Sequence, residues 1–472
     1  MRTSASVLLL VATVAASSAS QVPVNLGNFS VANAAFTSLH SLPGTEPGPH
    51  MVVTSFTGDP FEKGALTIVR NLTSMPFPAS VHATTITSNL TWPNTVTSVP
   101  PGAIGPQPAL LLGDGFLVPG KSQGAVRLLQ LNADWSLQRT VTLTAPKGNW
   151  LGGWFYHHTL LRDMNGDGRL DILTARATKP LVGAEAAEML WLEQPASNPT
   201  TSGPWTEHVI ANGTHSPGVF FQTEDLDGDG CEEITFADFF GGPGFAVLSV
   251  GQAGVPGSAQ GQRLRGGPAF TTTTAEPAGG SMACWAGVTP ATVVKTVVDA
   301  SIGTAFALEH VDLDGDGKTE VLVTNHVNNA SLSGVYAYEV PSGPGAFTDP
   351  AAWTRHDLFV GFKTILPGIG QASPGRAAAF HPTNAAVGSS SPRPLISVAG
   401  DGAEGQYILT PPSAGASDPW DYTLKQIGSC HGTAGWQSVL YDAEGYATVF
   451  FPCYEKGQVV AWSYNPAAAA AA

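Results

Sequence analysis

Charge is scarce in this 472-residue chain: only 12% of residues are Asp, Glu, Lys or Arg, with 21 basic against 36 acidic residues and a formal net charge of −15. So few charges, spread thinly, exclude a coiled coil or a solvated helical bundle, which would be rich in Glu and Lys. The shortage of Lys and Arg also excludes a general phosphate-binding surface, so no nucleic-acid partner is expected. There is no hydrophobic run of spanning length and hence no expected membrane partner. Cysteine is limited to four residues, an even number better suited to two disulfides than to a metal cluster. What is abundant is Gly (54) and Pro (37), about a fifth of the chain, together with 43% hydrophobic residues. Short apolar runs punctuated by turn residues read as many short strands.

The N-terminus has Arg2, an apolar run from Val7 to Ala16 and small residues ending Ser18-Ala19-Ser20. This is the pattern of a secretory signal peptide over residues 1–20, with the mature chain starting near Gln21. Five Asn-x-Ser/Thr sequons, at Asn28, Asn71, Asn89, Asn212 and Asn329, fit a secreted glycoprotein. Residues 467–472 are a low-complexity alanine tail.

Three segments share one pattern: Asp163-Met-Asn-Gly-Asp-Gly-Arg-Leu-Asp171, Asp225-Leu-Asp-Gly-Asp-Gly-Cys-Glu-Glu233 and Asp312-Leu-Asp-Gly-Asp-Gly-Lys-Thr-Glu320. Side-chain oxygens recur at positions 1, 3, 5 and 9, and glycines at 4 and 6 let the backbone turn so that these oxygens converge. A hard cation wanting six to eight oxygen ligands fits, and up to three structural Ca²⁺ sites are expected. The expected ligands are Asp163, Asn165, Asp167 and Asp171; Asp225, Asp227, Asp229 and Glu233; and Asp312, Asp314, Asp316 and Glu320. Each loop is followed by an apolar strand rather than a helix, which disfavours an EF-hand.

The flanks repeat as well. A second apolar strand follows each loop, and a further strand opens Trp205-Thr-Glu-His208 in one unit and Trp353-Thr-Arg-His356 in another. Pairs such as Met51–Thr54 with Ala65–Ile68, or Ala447–Phe450 with Gln458–Ala461, keep the rhythm where the acidic loop is missing. Seven such pairs predict an all-β fold, one seven-bladed β-propeller over residues 21–466 with Asp/Gly-rich calcium loops in several blades. The intervals of 62 and 87 residues between successive acidic loops place an insertion in the Gly/Thr-rich stretch around 251–290.

With strands lettered A to D from the axis outward, the acidic loops join A to B at the bottom rim. The starts of A strands and the ends of B strands then share the top rim. In this frame Cys430 and Cys453 both lie at the top and Cys231 and Cys284 both at the bottom, so the expected bridges are 430–453 and 231–284. His82, His208 and His356 fall on outer strands as structural residues. His157, His158, His215, His326 and His431 gather at the top with Arg176, Asp238, Asn325, Tyr156 and Trp154. Cations for a carboxylate and aromatic faces for rings suggest an anionic sugar ligand.

Two activities remain open on these residues. A uronate can be cleaved by β-elimination, with Arg176 neutralising the carboxylate, His157 or His158 as base and Tyr156 as a second proton-transfer group. Alternatively the chain is a carbohydrate-binding propeller lectin without catalysis, although the unlike residues of successive blades favour one asymmetric site.

The triplicated D-x-[DN]-G-D-G-x-x-[DE] motif and the Trp-Thr-x-His strand resemble the FG-GAP/VCBS calcium-binding propeller superfamily. Within it, a secreted seven-bladed chain with His-His ahead of its first acidic loop is similar to the fungal L-rhamnose-α-1,4-D-glucuronate lyases. That resemblance implies a monomeric polysaccharide lyase releasing terminal rhamnose from glucuronate in plant arabinogalactan such as gum arabic.

Overall fold

The computed structural model describes residues 22–470 apart from 75–76, 150–151, 202, 252–280, 367, 369–370, 387–392 and 414. The expected signal peptide and most of the Gly/Thr-rich insertion therefore lie outside the described residues. The described chain is built from β-strands and short 3₁₀ turns. Seven antiparallel four-stranded sheets are arranged as a β-propeller.

Blade 1 runs Ala34–His40, His50–Ser55, Gly64–Arg70 and His82–Leu90, and blade 2 Pro93–Val99, Ala109–Asp114, Val126–Leu131 and Leu137–Thr142. Blade 3 is Phe155–Arg162, Asp171–Thr178, Ala186–Glu193 and Thr206–Asn212. Blade 4 is Phe221–Glu224, Glu233–Asp238, Gly244–Val250 and Val293–Asp299. Blade 5 is Ala305–Val311, Glu320–Asn325, Gly334–Glu339 and Thr354–Val360, and blade 6 Ala377–Phe380, Leu395–Ala399, Gly405–Thr410 and Thr423–Ser429. Blade 7 takes Ser438–Tyr441, Ala447–Cys453 and Gln458–Ser463 from the C-terminus, and its outer strand, Val24–Ser30, from the N-terminus. Val24 pairs with Ser463 and Ser30 with Gln458, so the two ends of the chain close the ring.

The apolar runs that the sequence offers in pairs are the B and C strands. Most B strands are buried along their whole length, because both faces of a mid-blade strand meet a neighbouring blade. D strands lie largely open to solvent, as in His82–Leu90 and Thr423–Ser429. One apolar cluster fills each of the seven interfaces between blades; Trp191, Phe236 and Trp285 belong to that between blades 3 and 4. An eighth cluster caps the axis at the top rim, with Phe155, Phe220 and Phe240 buried and Phe36, Phe116, Phe239, Phe306 and Trp436 packed on them. Burying about 25 cal/mol per Å² of apolar surface is the main drive for stacking such blades.

Both expected disulfides form. Cys231–Cys284 (Cα–Cα 6.0 Å) ties the segment after the insertion to the acidic loop of blade 4. Cys430–Cys453 (Cα–Cα 5.0 Å) closes the top of blade 7. The alanine tail enters a 3₁₀ turn, Pro466–Ala470, and Ala468 is buried there.

Candidate functional site

The three acidic loops share one geometry. The position-1 carboxylate accepts the amides of positions 4 and 6: Asp163 from Gly166 (2.7 Å) and Gly168 (2.8 Å), Asp225 from Gly228 and Gly230, and Asp312 from Gly315 and Gly317. All six glycines have φ between 76° and 92°, the left-handed region a side chain would strain. The position-9 acid accepts the amide of position 2, as Glu233 does from Leu226 (2.9 Å) and Glu320 from Leu313 (2.7 Å). Carboxyl oxygens of Asp225, Asp227 and Asp229, and of Asp312, Asp314 and Asp316, converge within 4.8 Å and could hold a metal ion. Burial, helped by the neighbouring carboxylates, pushes Glu233 up to about 9 and Glu320 up to about 8. A cation would relieve that strain, and an all-oxygen set suits a hard one. The first loop has Asn165 in place of one acid, and Asp167 pairs there with Arg169. Position 3 also reaches onward, since Asp227 accepts the Gly345 amide of the following blade at 2.7 Å.

Of the outer-strand histidines, His208 and His356 are packing groups and His82 is exposed. His208 stacks on Trp191 at 4.0 Å and bonds Glu193, and His356 stacks on Trp420 at 4.0 Å and bonds Glu339.

At the top of the axis the rings form a continuous floor. Phe56 stacks on Trp92 (4.0 Å), Trp92 on Phe116 (4.9 Å), and Phe116 meets His157 edge-on (5.3 Å). His157 meets Phe220, Phe220 meets Trp436 (4.5 Å), and Trp436 returns through Phe36 to Phe56. His326 extends this floor, lying on Phe306 at 5.0 Å and 3.4 Å from Asp401.

His158 belongs to the same mouth, its ring against Phe220 and Phe221. Its Nδ1 lies 2.9 Å from Thr95 Oγ1, whose hydroxyl donates to the His157 carbonyl at 2.9 Å. Thr95 has one proton, so Nδ1 must donate to it and Nε2 carries the lone pair. Burial first, then the charges of Arg376 and Arg162, pushes His158 down to about 4. Burial likewise takes His157 to about 3; its Nδ1 is enclosed without a partner.

Arg376 precedes the innermost strand of blade 6, opposite blade 3. Its guanidinium lies over Trp436 at 4.6 Å and donates one hydrogen bond, Nη1 to the Gln437 carbonyl at 2.9 Å. No ion pair with a carboxylate engages it among the described residues. Burial pulls it below the usual arginine range while Glu309 opposes that shift.

Arg176 stands elsewhere. It lies opposite Tyr156 in the blade 3 ladder, and its side chain, 3% exposed, runs outward across the sheet. It donates to Glu188 (2.5 Å), Glu207 (2.8 Å) and the Tyr156 hydroxyl (3.2 Å) and lies over Trp154 at 5.1 Å. Lys147 adds a second cation at 2.5 Å from Glu207. Apart from Asn325, the top-rim set thus divides into four. His157, His158 and His326 meet at the mouth; Tyr156, Trp154 and Arg176 form a closed network beside it; His215 and Asp238 pair at 2.8 Å on the rim of blade 4; His431 is exposed on blade 7. Asn325 is spent on backbone, donating to the Ile302 and Leu332 carbonyls and accepting the Gly334 amide.

Sequence reasoning passed over Arg376, Glu309 and His310. One signal was available: Arg376 follows Ser373-Pro-Gly375 where Val219 follows Ser216-Pro-Gly218, and a charge in place of a valine marks an unlike blade.

No protein-family model and no curated protein matches the chain. Solved structures similar in architecture include Drosophila Plexin A in complex with Semaphorin 1b, at 11% identity and TM-score 0.39, covering 94% of this chain and 88% of that one. The exotype rhamnogalacturonan lyase YesX is similar at 11% identity and TM-score 0.30, covering 92% and 91%. A Synechocystis apocarotenoid oxygenase mutant follows at 10% identity and TM-score 0.33, covering 91% and 87%. At such identities and scores these likenesses carry no argument about activity.

Proposed function

We propose that this chain is a secreted carbohydrate-active propeller that cleaves a glycosidic bond to a glucuronate by β-elimination. Its substrate class is the terminal rhamnosyl-α-1,4-glucuronate of plant arabinogalactan. The observation that carries the reading is that Arg376, which no carboxylate pairs with among the described residues, lies over Trp436 and near enough for its charge to act on His158, whose ring packs on Phe220 of the same aromatic floor. A uronate carboxylate on Arg376 loses the negative charge that makes the neighbouring carbon hard to deprotonate. His158 Nε2 then removes that proton, and Phe220, Phe306 and Trp436 support the apolar faces of the sugars. The role first expected of Arg176 passes to Arg376, because Glu188 and Glu207 already offset the charge of Arg176.

The acidic loops would hold Ca²⁺ as structural ions at the bottom rim, where the cation ties each A–B turn and no step of the reaction takes place. Two disulfides, five exposed sequon asparagines and the signal-like N-terminus support secretion as a glycoprotein.

The test is incubation of the purified protein with gum arabic and uronate oligosaccharides, following the ultraviolet absorbance of unsaturated uronate and the release of rhamnose. Wild type should produce both, and Arg376→Ala should lower kcat/KM by about 10³-fold, in the range for losing a transition-state charge partner. Sugar binding without either product would leave the lectin reading.

A further inference from the structure

The acidic loops occupy consecutive blades, 3, 4 and 5, and the residues that flank them join one loop to the next. Arg162, just before the first loop, meets Glu232, the eighth residue of the second, with Nε 3.1 Å from Oε2. Its Nη2 also donates at 2.8 Å to Thr223 Oγ1, on the strand that leads into the second loop. Glu224, just before the second loop, repeats the arrangement one blade further on. Its Oε1 accepts the hydroxyl of Thr319, the eighth residue of the third loop, at 2.6 Å, and its Oε2 lies 2.9 Å from His310 Nδ1. The residue before one loop thus bonds the eighth residue of the next, twice in succession.

Further ties run the same way. Gly166 of the first loop faces Ala283, whose Cβ lies 3.2 Å from where a Cβ on Gly166 would stand. The next residue, Cys284, is bridged to Cys231 inside the second loop, and Trp285 donates Nε1 to the Glu232 carbonyl at 2.9 Å. Asp227 of the second loop accepts the Gly345 amide of blade 5 at 2.7 Å. The blade 4 loop is therefore held from both sides. Glu232 is 5% exposed, so its link to Arg162 is a fixed one rather than a solvated surface pair.

We infer that the three loops take up Ca²⁺ as one coupled set with the blade 4 loop as its hub, so that an ion in one loop raises the affinity of the next. This rests on the Ca²⁺ reading above. A loop closes on a cation only when its oxygens are held together, and the entropy of that ordering opposes binding. Because the ends of adjacent loops are fixed to one another, an ion that orders one loop supplies part of the order its neighbour requires. By linkage the effect is mutual. Repulsion between bound ions acts the other way. Neighbouring sheets, however, stand about 10 Å apart, beyond the Debye length of about 8 Å at physiological ionic strength. Each loop's three or four carboxylates also offset the charge of its own ion.

The experiment is calorimetric titration of Ca²⁺ into the whole protein after chelation and dialysis. Wild type should bind more than one ion with a Hill coefficient above unity. Uptake of a single ion, or of several that fit independent sites, overturns the coupling. No uptake at all overturns the calcium reading itself, so the two failures are told apart. Asp316→Ala removes an exposed ligand of the third loop. The remaining ions should then bind about 5- to 150-fold more weakly. Loss of one site with unchanged affinity at the others overturns the inference. Thr319→Val keeps every ligand and the side-chain volume but not the bond to Glu224. It should lower the Hill coefficient at unchanged stoichiometry, and an unchanged coefficient overturns the route through Glu224. If thermal melting shows either variant unfolded, the wild-type isotherm decides.

Discussion

Replacing Arg176 by alanine separates a structural cation from a substrate-binding one. The guanidinium is 3% exposed and meets Glu188 and Glu207, themselves 20% and 15% exposed, together with Tyr156 and Trp154. Removing one partner of a fully buried ion pair costs about 3–5 kcal/mol. Two features reduce that figure here. Lys147 stays 2.5 Å from Glu207, and both acids keep some contact with water, so only Glu188 is left without a cation. The loss of the Trp154 stack adds about 0.5–1 kcal/mol. We expect a net destabilisation of about 3 kcal/mol, read as a lower urea midpoint at unchanged slope, with activity on rhamnosyl-glucuronate within several-fold of wild type. A double-mutant cycle with Glu207→Gln should return about 1–2 kcal/mol of coupling, as expected of residues in one network. The opposite outcome, a hundredfold loss of activity at an unchanged midpoint, would falsify the assignment of Arg376 and return the substrate's carboxylate to Arg176.

Chelation should lower the thermal midpoint reversibly, with Ca²⁺ restoring it; a stabilisation of about 2.7 kcal/mol corresponds to a free ion at a hundred times its dissociation constant. An unchanged midpoint would leave the acidic loops as metal-free turns. The buried histidines give stability an acid limb. A histidine pushed down by folding binds its proton more weakly in the native than in the unfolded chain. Its contribution is complete above about 6.5 and drains away as pH falls toward about 4 for His158 and about 3 for His157. Each should add up to about 1.4 kcal/mol per pH unit to the slope. Denaturation midpoints measured with excess Ca²⁺ at about pH 5 and about pH 7, in wild type and His157→Leu, check this; equal slopes in the two proteins would exclude His157 as a source.

The fold was legible because its signals are local and repeated. A mid-blade strand is buried on both faces, so it must be a continuous apolar run, and Met51–Thr54 or Val321–Thr324 can be recognised without knowing their neighbours. Three acidic loops then set the phase of the blades, which fixed both disulfide pairings by rim alone. The ring closure was not legible for a corresponding reason. Val24–Ser30 is an edge strand whose partner, Gln458–Ser463, is separated by nearly the whole chain, and an edge strand has no burial pattern that names its partner.

The site was legible in height but not in direction. Counting residues from the turns put Arg176, Asp238 and Asn325 at B-strand ends, and they lie at or near those ends, while His158 lies in the middle of an innermost strand. Counting could not say whether a side chain leaves the strand toward the axis or along the face of a blade. That choice is made by cross-strand partners. Glu188 and Glu207 stand on the next two strands of blade 3 and draw Arg176 outward, whereas no carboxylate forms an ion pair with Arg376 among the described residues and its guanidinium lies over Trp436. Asn325 illustrates the same point with neutral groups, because two carbonyls and an amide of the turns around it consume its hydrogen-bonding capacity. A cation in a sparsely charged chain is therefore informative by what fails to pair with it. Arg376 gains its claim to a carboxylate ligand from that absence among the described residues as much as from its position on the axis.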